Sequence, residues 1–150
     1  MKMKVPGLGS KSGNLSESKK YEDGTYELRL IKSEFVDNSE NAEKPGTMYK
    51  FQFEFINEPD VEKSVIGEKF TKVVFFMDEN HPKYNQEIIE RALNELANVY
   101  AGFKMKIVND EIIIGNDLDK KDLSVKATFK TWVSKDKSKT GQNVEFSPVD

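Results

Sequence analysis

Apolar and polar residues alternate with a period of two along most of this chain, and clear helical spacing occurs only once. The longest alternating stretch, Leu123 to Phe146, predicts a hairpin with two chemically different faces. Leu123, Val125, Ala127, Phe129 and Val133 fall on one side, interrupted by Thr131, while Ser124, Lys126, Thr128, Lys130 and Trp132 fall on the other. The first side predicts burial, and the second predicts a surface that touches something. Ser134 to Gly141 connects the two arms and carries Lys135, Lys137 and Lys139 against Asp136. Asn143 to Phe146 is the returning run.

Three further strands are predicted upstream. After the turn signal Glu22-Asp23-Gly24, the stretch Thr25 to Val36 places Tyr26, Leu28 and Leu30 opposite Glu27, Arg29 and Ile31. Val36 to Gly46 collects Asp, Asn, Ser, Glu and Pro-Gly, so it predicts a long polar loop. Thr47 to Ile56 has Tyr49, Phe51, Phe53 and Phe55 on one face and Met48, Lys50, Gln52 and Glu54 on the other. A contiguous aromatic face of that size reads as core rather than as a base-stacking platform. Beyond a connection over Asn57 to Gly67, Glu68 to Phe76 reads as a strand. Phe70, Val74 and Phe76 point inward there, and Lys69, Thr71, Val73 and Phe75 outward.

From Asn85 to Tyr100 the spacing becomes helical, with Ile88, Ile89, Ala92, Leu93, Leu96, Val99 and Tyr100 on one side and Gly102 as a left-handed stop. Lys104 to Ile114 predicts a small hairpin about Asn109-Asp110, and Asn116 to Asp122 a polar turn. Residues 1–20, rich in Lys, Gly and Ser, read as a mobile basic arm whose charge is solvated rather than clamping a ligand. The rest, 21–150, reads as one domain.

Composition narrows the class. The absence of cysteine excludes disulfides and thiolate sites and fits a reducing compartment. No segment approaches the roughly 18 apolar residues that span a bilayer, and no signal-peptide core precedes the domain, so a cytoplasmic protein without a membrane partner is expected. The formal net charge of −3 hides its distribution. Residues 1–20 and the span from Ser124 to Gly141 each hold five lysines against one acid. Two basic zones therefore stand against an acidic body, and a local patch sets the field that a ligand meets.

Catalytic chemistry finds few groups. His81, the single histidine, precedes Pro82 in a turn, and no phosphate loop, nucleophile elbow or zinc spacing is present. Asp78-Glu79 and Asp110-Glu111 lack a third ligand for magnesium, so neither an enzyme nor a metal or other cofactor is expected. Binding chemistry fits better. Lys126, Lys130 and Trp132, flanked by Lys135, Lys137 and Lys139, supply cations for phosphates and a ring for bases. The alternative for Trp132 is packing beneath a loop.

Strand, long loop, strand, strand, helix and a final hairpin is the order of parts in an OB fold. The expected fold is therefore mainly β, a five-stranded Greek-key barrel with one amphipathic helix between strands three and four. In that arrangement Arg29 and Lys50 border the same groove as the Trp132 face, and Phe75 is a second, weaker stacking candidate. The chain also resembles the phage-encoded OB-fold single-stranded DNA-binding proteins over about Asp23 to Pro148. The likeness is carried by Asp23-Gly24-Thr25-Tyr26, by Gly46-Thr47-Met48-Tyr49-Lys50-Phe51 and by Leu93-Asn94-Glu95-Leu96 running to Ala101-Gly102. It closes with Leu123-Ser124-Val125-Lys126, Gly141-Gln142-Asn143 and Ser147-Pro148. The resemblance implies sequence-nonspecific binding of single-stranded DNA in phage replication and recombination, inside the host cytoplasm, with replication or recombination proteins as further partners. Many members end in an acidic tail that recruits polymerase or helicase. This chain ends Phe146-Ser147-Pro148-Val149-Asp150, so recruitment through such a tail is not expected. A protein-interaction module on the same small barrel, without nucleic acid, is the alternative reading.

Overall fold

The computed structural model describes residues 20–149, so all of the expected arm but Lys20 lies outside the described residues. Five strands form one antiparallel sheet: β1 (Gly24–Asp37), β2 (Gly46–Asn57), β3 (Lys69–Met77), β4 (Ser124–Val133) and β5 (Thr140–Ser147), in the order β3-β2-β1-β4-β5. Helix α1 (Gln86–Gly102) lies between β3 and β4 in sequence, followed by the one-turn helix α2 (Asn116–Asp119). Asn85 caps α1 by accepting from the Glu87 amide at 2.8 Å, which satisfies a first-turn donor. Among the described residues no helix is long and apolar enough to cross a membrane.

The alternation read from the sequence is the alternation of faces. Tyr26, Leu28 and Leu30 of β1, Phe51, Phe53 and Phe55 of β2, Val74 of β3, Val125, Ala127 and Phe129 of β4 and Phe146 of β5 are all buried. Strand β1 serves two partners: Gly24 to Arg29 pair with β4, Gly24 opposite Phe129, and Glu27 to Asp37 pair with β2, ending at Asp37 opposite Thr47. The sheet curls so far that strands distant in hydrogen-bonding order meet through their rings. Phe70 of β3 lies 5.3 Å from Phe129 of β4, and Phe53 of β2 lies 5.5 Å from Phe146 of β5, centroid to centroid. Tyr21 plugs one end of the curl against Phe55, Phe129 and Phe70, at 4.9, 5.1 and 5.9 Å.

The sheet does not close into the expected barrel: among the described residues β3 and β5 share no ladder. They border a cleft of about 480 Å³ instead, lined by Phe70 to Val73, Gln142 to Val144 and Glu95 of α1. Helix α1 packs over both strands, so its side chains meet groups that a closing ladder would have met. Asn98 donates to the Phe146 carbonyl at 3.0 Å and accepts from the Phe146 amide at 2.8 Å, as a neighbouring strand would. At the other end the Gln142 side chain accepts from the Tyr21 amide at 3.1 Å and donates to the Tyr21 carbonyl at 2.6 Å. Two primary amides thus hold β5 where backbone pairing is missing.

Other expectations are corrected. Gly102 is helical, not a left-handed stop. A Cβ there would lie 3.1 Å from both Val125 and Phe146, so the glycine serves close helix-to-sheet approach, and the positive φ falls on Lys104. The small hairpin about Asn109 and Asp110 shrinks to a single bridge, Val108 to Glu111, with both turn residues at positive φ. Leu93 is 48 % exposed although its spacing matches the buried stripe. The polar turn of residues 116–122 contains α2, whose Leu118 is fully buried. A register shift between Leu30 and Lys32 turns Ser33 inward, where its amide and hydroxyl donate to Asp119 Oδ1 at 2.8 and 2.7 Å and tie α2 to the sheet.

Truncating Phe53 to alanine removes a ring packed between Phe103 and Phe146 and is expected to lower stability by about 3–5 kcal/mol. Asn98→Ala leaves the Phe146 amide and carbonyl unpaired and is expected to cost about 1–3 kcal/mol. Urea unfolding of the two variants checks both, and a loss below about 1 kcal/mol for Phe53→Ala would contradict this packing.

Candidate nucleic-acid interface

The β4–β5 hairpin reaches beyond the body because β1 begins at Gly24, opposite Phe129. Past Phe129, β4 has no β1 residue beside it, and Lys130, Thr131, Trp132 and Val133 are all exposed. Val133, expected inward, is 60 % exposed for the same reason. Asp23 covers part of the unpaired edge: its carboxylate accepts from the Thr131 amide at 3.0 Å and hydroxyl at 2.6 Å. Those bonds hold the Asp23 pKa below its ordinary value, the Thr131 hydroxyl contributing most.

Trp132 is 43 % exposed and stands opposite Gly141 of β5. Lys130, the preceding residue on the same face, stands opposite Asn143, and both are exposed. The turn beyond them carries Lys135, Lys137 and Lys139, all exposed, around one internally bonded acid. Asp136 Oδ1 accepts from the Ser134 hydroxyl at 2.6 Å, the Ser138 hydroxyl at 2.7 Å and the Ser138 amide at 3.0 Å. Ser134 Oγ in turn accepts from the Lys139 amide at 3.0 Å. With its oxygen satisfied in this way, Asp136 has its pKa lowered to about 2, mainly through the Ser134 and Ser138 hydroxyls. Lys20 adds a further cation here: its ammonium donates at 3.1 Å to Thr140 Oγ1, which donates to the Trp132 carbonyl at 2.9 Å.

The structure therefore brings together Trp132, Lys130, Lys135, Lys137 and Lys139, with Lys20 as a neighbour that the sequence reading left in the arm. Lys126 lies farther in on the same face, half-buried, between Glu27 of β1 and Ser147 of β5. Arg29, Lys50 and Phe75 do not join them. Arg29 is opposite Ser124, eight residues from Trp132 along β4, or about 26 Å of extended strand. Its guanidinium is 3.2 Å from Glu54, which also meets Lys69 at 3.7 Å. Lys50 lines a mixed-charge depression of about 280 Å³ with Lys32, Glu34, Gln52 and Thr71. The Phe75 ring covers Gly46, where a Cβ would lie 2.6 Å from its Cζ, and its centroid is 6.0 Å from the His81 ring. It is half-buried and stands opposite Met48 of β2, away from the hairpin.

A second concavity lies away from the hairpin. Tyr49, Phe76, Leu93, Leu96, Ile107 and Ile112 line most of an apolar groove of about 730 Å³ between α1, the sheet and residues 107–112, with Asp110 at its rim. Among the described residues, no group of three or more His, Cys, Asp or Glu side chains is arranged to hold a metal ion. No protein-family model matches this chain, and no curated protein matches it in sequence.

The Asp136 pKa gives a pH prediction. A carboxyl whose folded pKa is depressed favours the ordered turn above its ordinary 3.8, and that contribution is lost as pH falls through about 2. Carboxyl titration by NMR is expected to place the Asp136 midpoint near 2, with the Ser138 amide resonance moving together with it. A midpoint near 3.8 would remove the bonded turn from this description.

Proposed function

We propose that this protein is an OB-fold protein that binds single-stranded DNA with little sequence preference, in the manner of the phage-encoded replication and recombination proteins it resembles. One observation carries the reading: an exposed indole on a projecting hairpin stands beside four lysines that form no ion pair with a described acid, while the aromatic rings of β2 are spent on the core. Cations placed around a free ring suit a flexible polyanion carrying unpaired bases. The strand order, the helix between β3 and β4 and the cross-sheet ring contacts support the OB-type barrel, with the β3–β5 junction held by side chains instead of a ladder. Binding through stacking and charge requires no cofactor and no catalytic group.

The apolar groove supports a second reading, a protein-interaction module, because Leu93 and Ile107 keep large apolar surfaces in water beside it. The two readings predict different responses. Under the first, the emission of Trp132, the sole tryptophan, changes on titration with oligo-dT; under the second it stays flat, and Leu93→Asp abolishes capture of a protein partner.

Trp132→Ala is expected to weaken oligo-dT binding by roughly 5- to 150-fold, the worth of one stacked base, without lowering thermal stability. With three or four phosphates contacted, raising salt from about 50 to 200 mM is expected to cost roughly 20- to 50-fold in affinity. Fluorescence anisotropy at the two ionic strengths measures both, and salt-independent binding would exclude the lysines from the contact.

A further inference from the structure

We infer that Trp132, Gly141, Lys130 and Asn143 form a subsite for one unpaired nucleotide, in which Gly141 is the residue that sets the position of the indole. The inference rests on the single-strand reading above and specifies what the hairpin takes. Trp132 and Gly141 are cross-strand partners, and the indole lies over the glycine backbone. A Cβ on residue 141 would come 2.6 Å from Trp132 Cε2 and 2.8 Å from Nε1, and closer still to Cζ2. No side chain other than hydrogen leaves the ring where it is. Gly141 has no positive φ, so the constraint comes from the space the ring occupies and not from the backbone conformation.

The indole is therefore packed against β5 at Gly141, and Trp132 as a residue is 43 % exposed. A half-covered ring of this kind accepts one flat partner on its open side. The next pair along the same face is Lys130 with Asn143, two residues away on each strand, or about 7 Å. At that distance an ammonium reaches the phosphate of a nucleotide whose base lies on the indole. The Asn143 amide, with a donor and an acceptor, reaches the base edge. The chemical class follows: a nucleotide inside a single strand, its base free to leave its neighbours. A base within a duplex keeps both faces stacked and its pairing edge occupied, so it offers the shelf no face and Asn143 no partner.

The test uses the full chain and labelled oligo-dT, oligo-dC, oligo-dA and a duplex of equal length. Gly141→Ala is expected to weaken oligo-dT binding about as much as Trp132→Ala does. It is also expected to shift the Trp132 emission of the free protein, and to add no further loss in a Trp132→Ala background. Trp132→Phe combined with Gly141→Ala, where a smaller ring leaves room for the methyl group, is expected to bind more tightly than Gly141→Ala alone, which separates a displaced ring from a damaged hairpin. Asn143→Ala is expected to change the ranking of the three homopolymers while leaving the salt dependence unaltered. If Trp132→Ala binds as the wild type does, the single-strand reading itself is lost. If Trp132→Ala weakens binding but Gly141→Ala does not, the subsite is wrong and that reading stands; if the duplex competes equally with oligo-dT, both are lost.

Discussion

A sheet of five strands that curls until its outer strands face one another must be sealed along the line where they meet, and among the described residues no backbone ladder does this. The seal is made by rings inside and amides at the edge. Phe53 meets Phe146 and Phe70 meets Phe129, contacts between strands three places apart in the sheet, so the aromatic layer fixes the curvature that hydrogen bonding leaves open. Asn98 from the helix and Gln142 from β5 then take up backbone groups near the two ends of β5. Because the phenylalanines of β2 carry this burden, they are unavailable to a ligand.

The same arrangement explains why the candidate site is where it is. Interior space ends at the layer of Tyr21 and Phe129, so residues farther along β4 have no core to enter. Trp132, resting on Gly141, and Val133 stay exposed because no core extends to them, and Lys130 and the turn lysines share that position. The indole thus leaves apolar surface in water on a hairpin whose neighbouring side chains are cationic. The glycine opposite it points the same way, since a larger residue at 141 would displace the ring.

Much of the fold was legible because its strands alternate cleanly: Tyr26-Leu28-Leu30 and Phe51-Phe53-Phe55 declare an inner face without ambiguity. What escaped depends on contacts between distant segments. Ser33 turns inward only because β1 slips in register, and its reward is Asp119, 86 residues away. Gly102 looks like a helix stop until Val125 and Phe146 are seen against it. Tyr21 and Lys20 sit at the border of a basic, polar segment, and nothing local marks one as a core plug and the other as a neighbour of the hairpin. Among the candidate binding residues, those contiguous on the hairpin stayed together. Arg29 and Lys50 join the Trp132 groove only through an assumed barrel geometry, a long-range step, and the structure pairs Arg29 with Glu54 and sets Lys50 beside Glu34 instead.

Asp136 illustrates how a basic loop can gain from an acid at its centre. On charge alone the carboxylate weakens the field of Lys135, Lys137 and Lys139, and its lowered pKa keeps it ionised wherever nucleic acid is stable. Yet three lysines on an unstructured turn would lose their freedom on meeting a phosphate chain, and each immobilised side chain and loop residue subtracts from affinity. By accepting from Ser134 and Ser138, Asp136 orders the backbone beforehand, while Lys137 tolerates a left-handed φ of 60° within the bonded turn. The acid thus exchanges one unit of attraction for a turn already in shape. That exchange is favourable where the opposing charge is dense and the lysines number three to one.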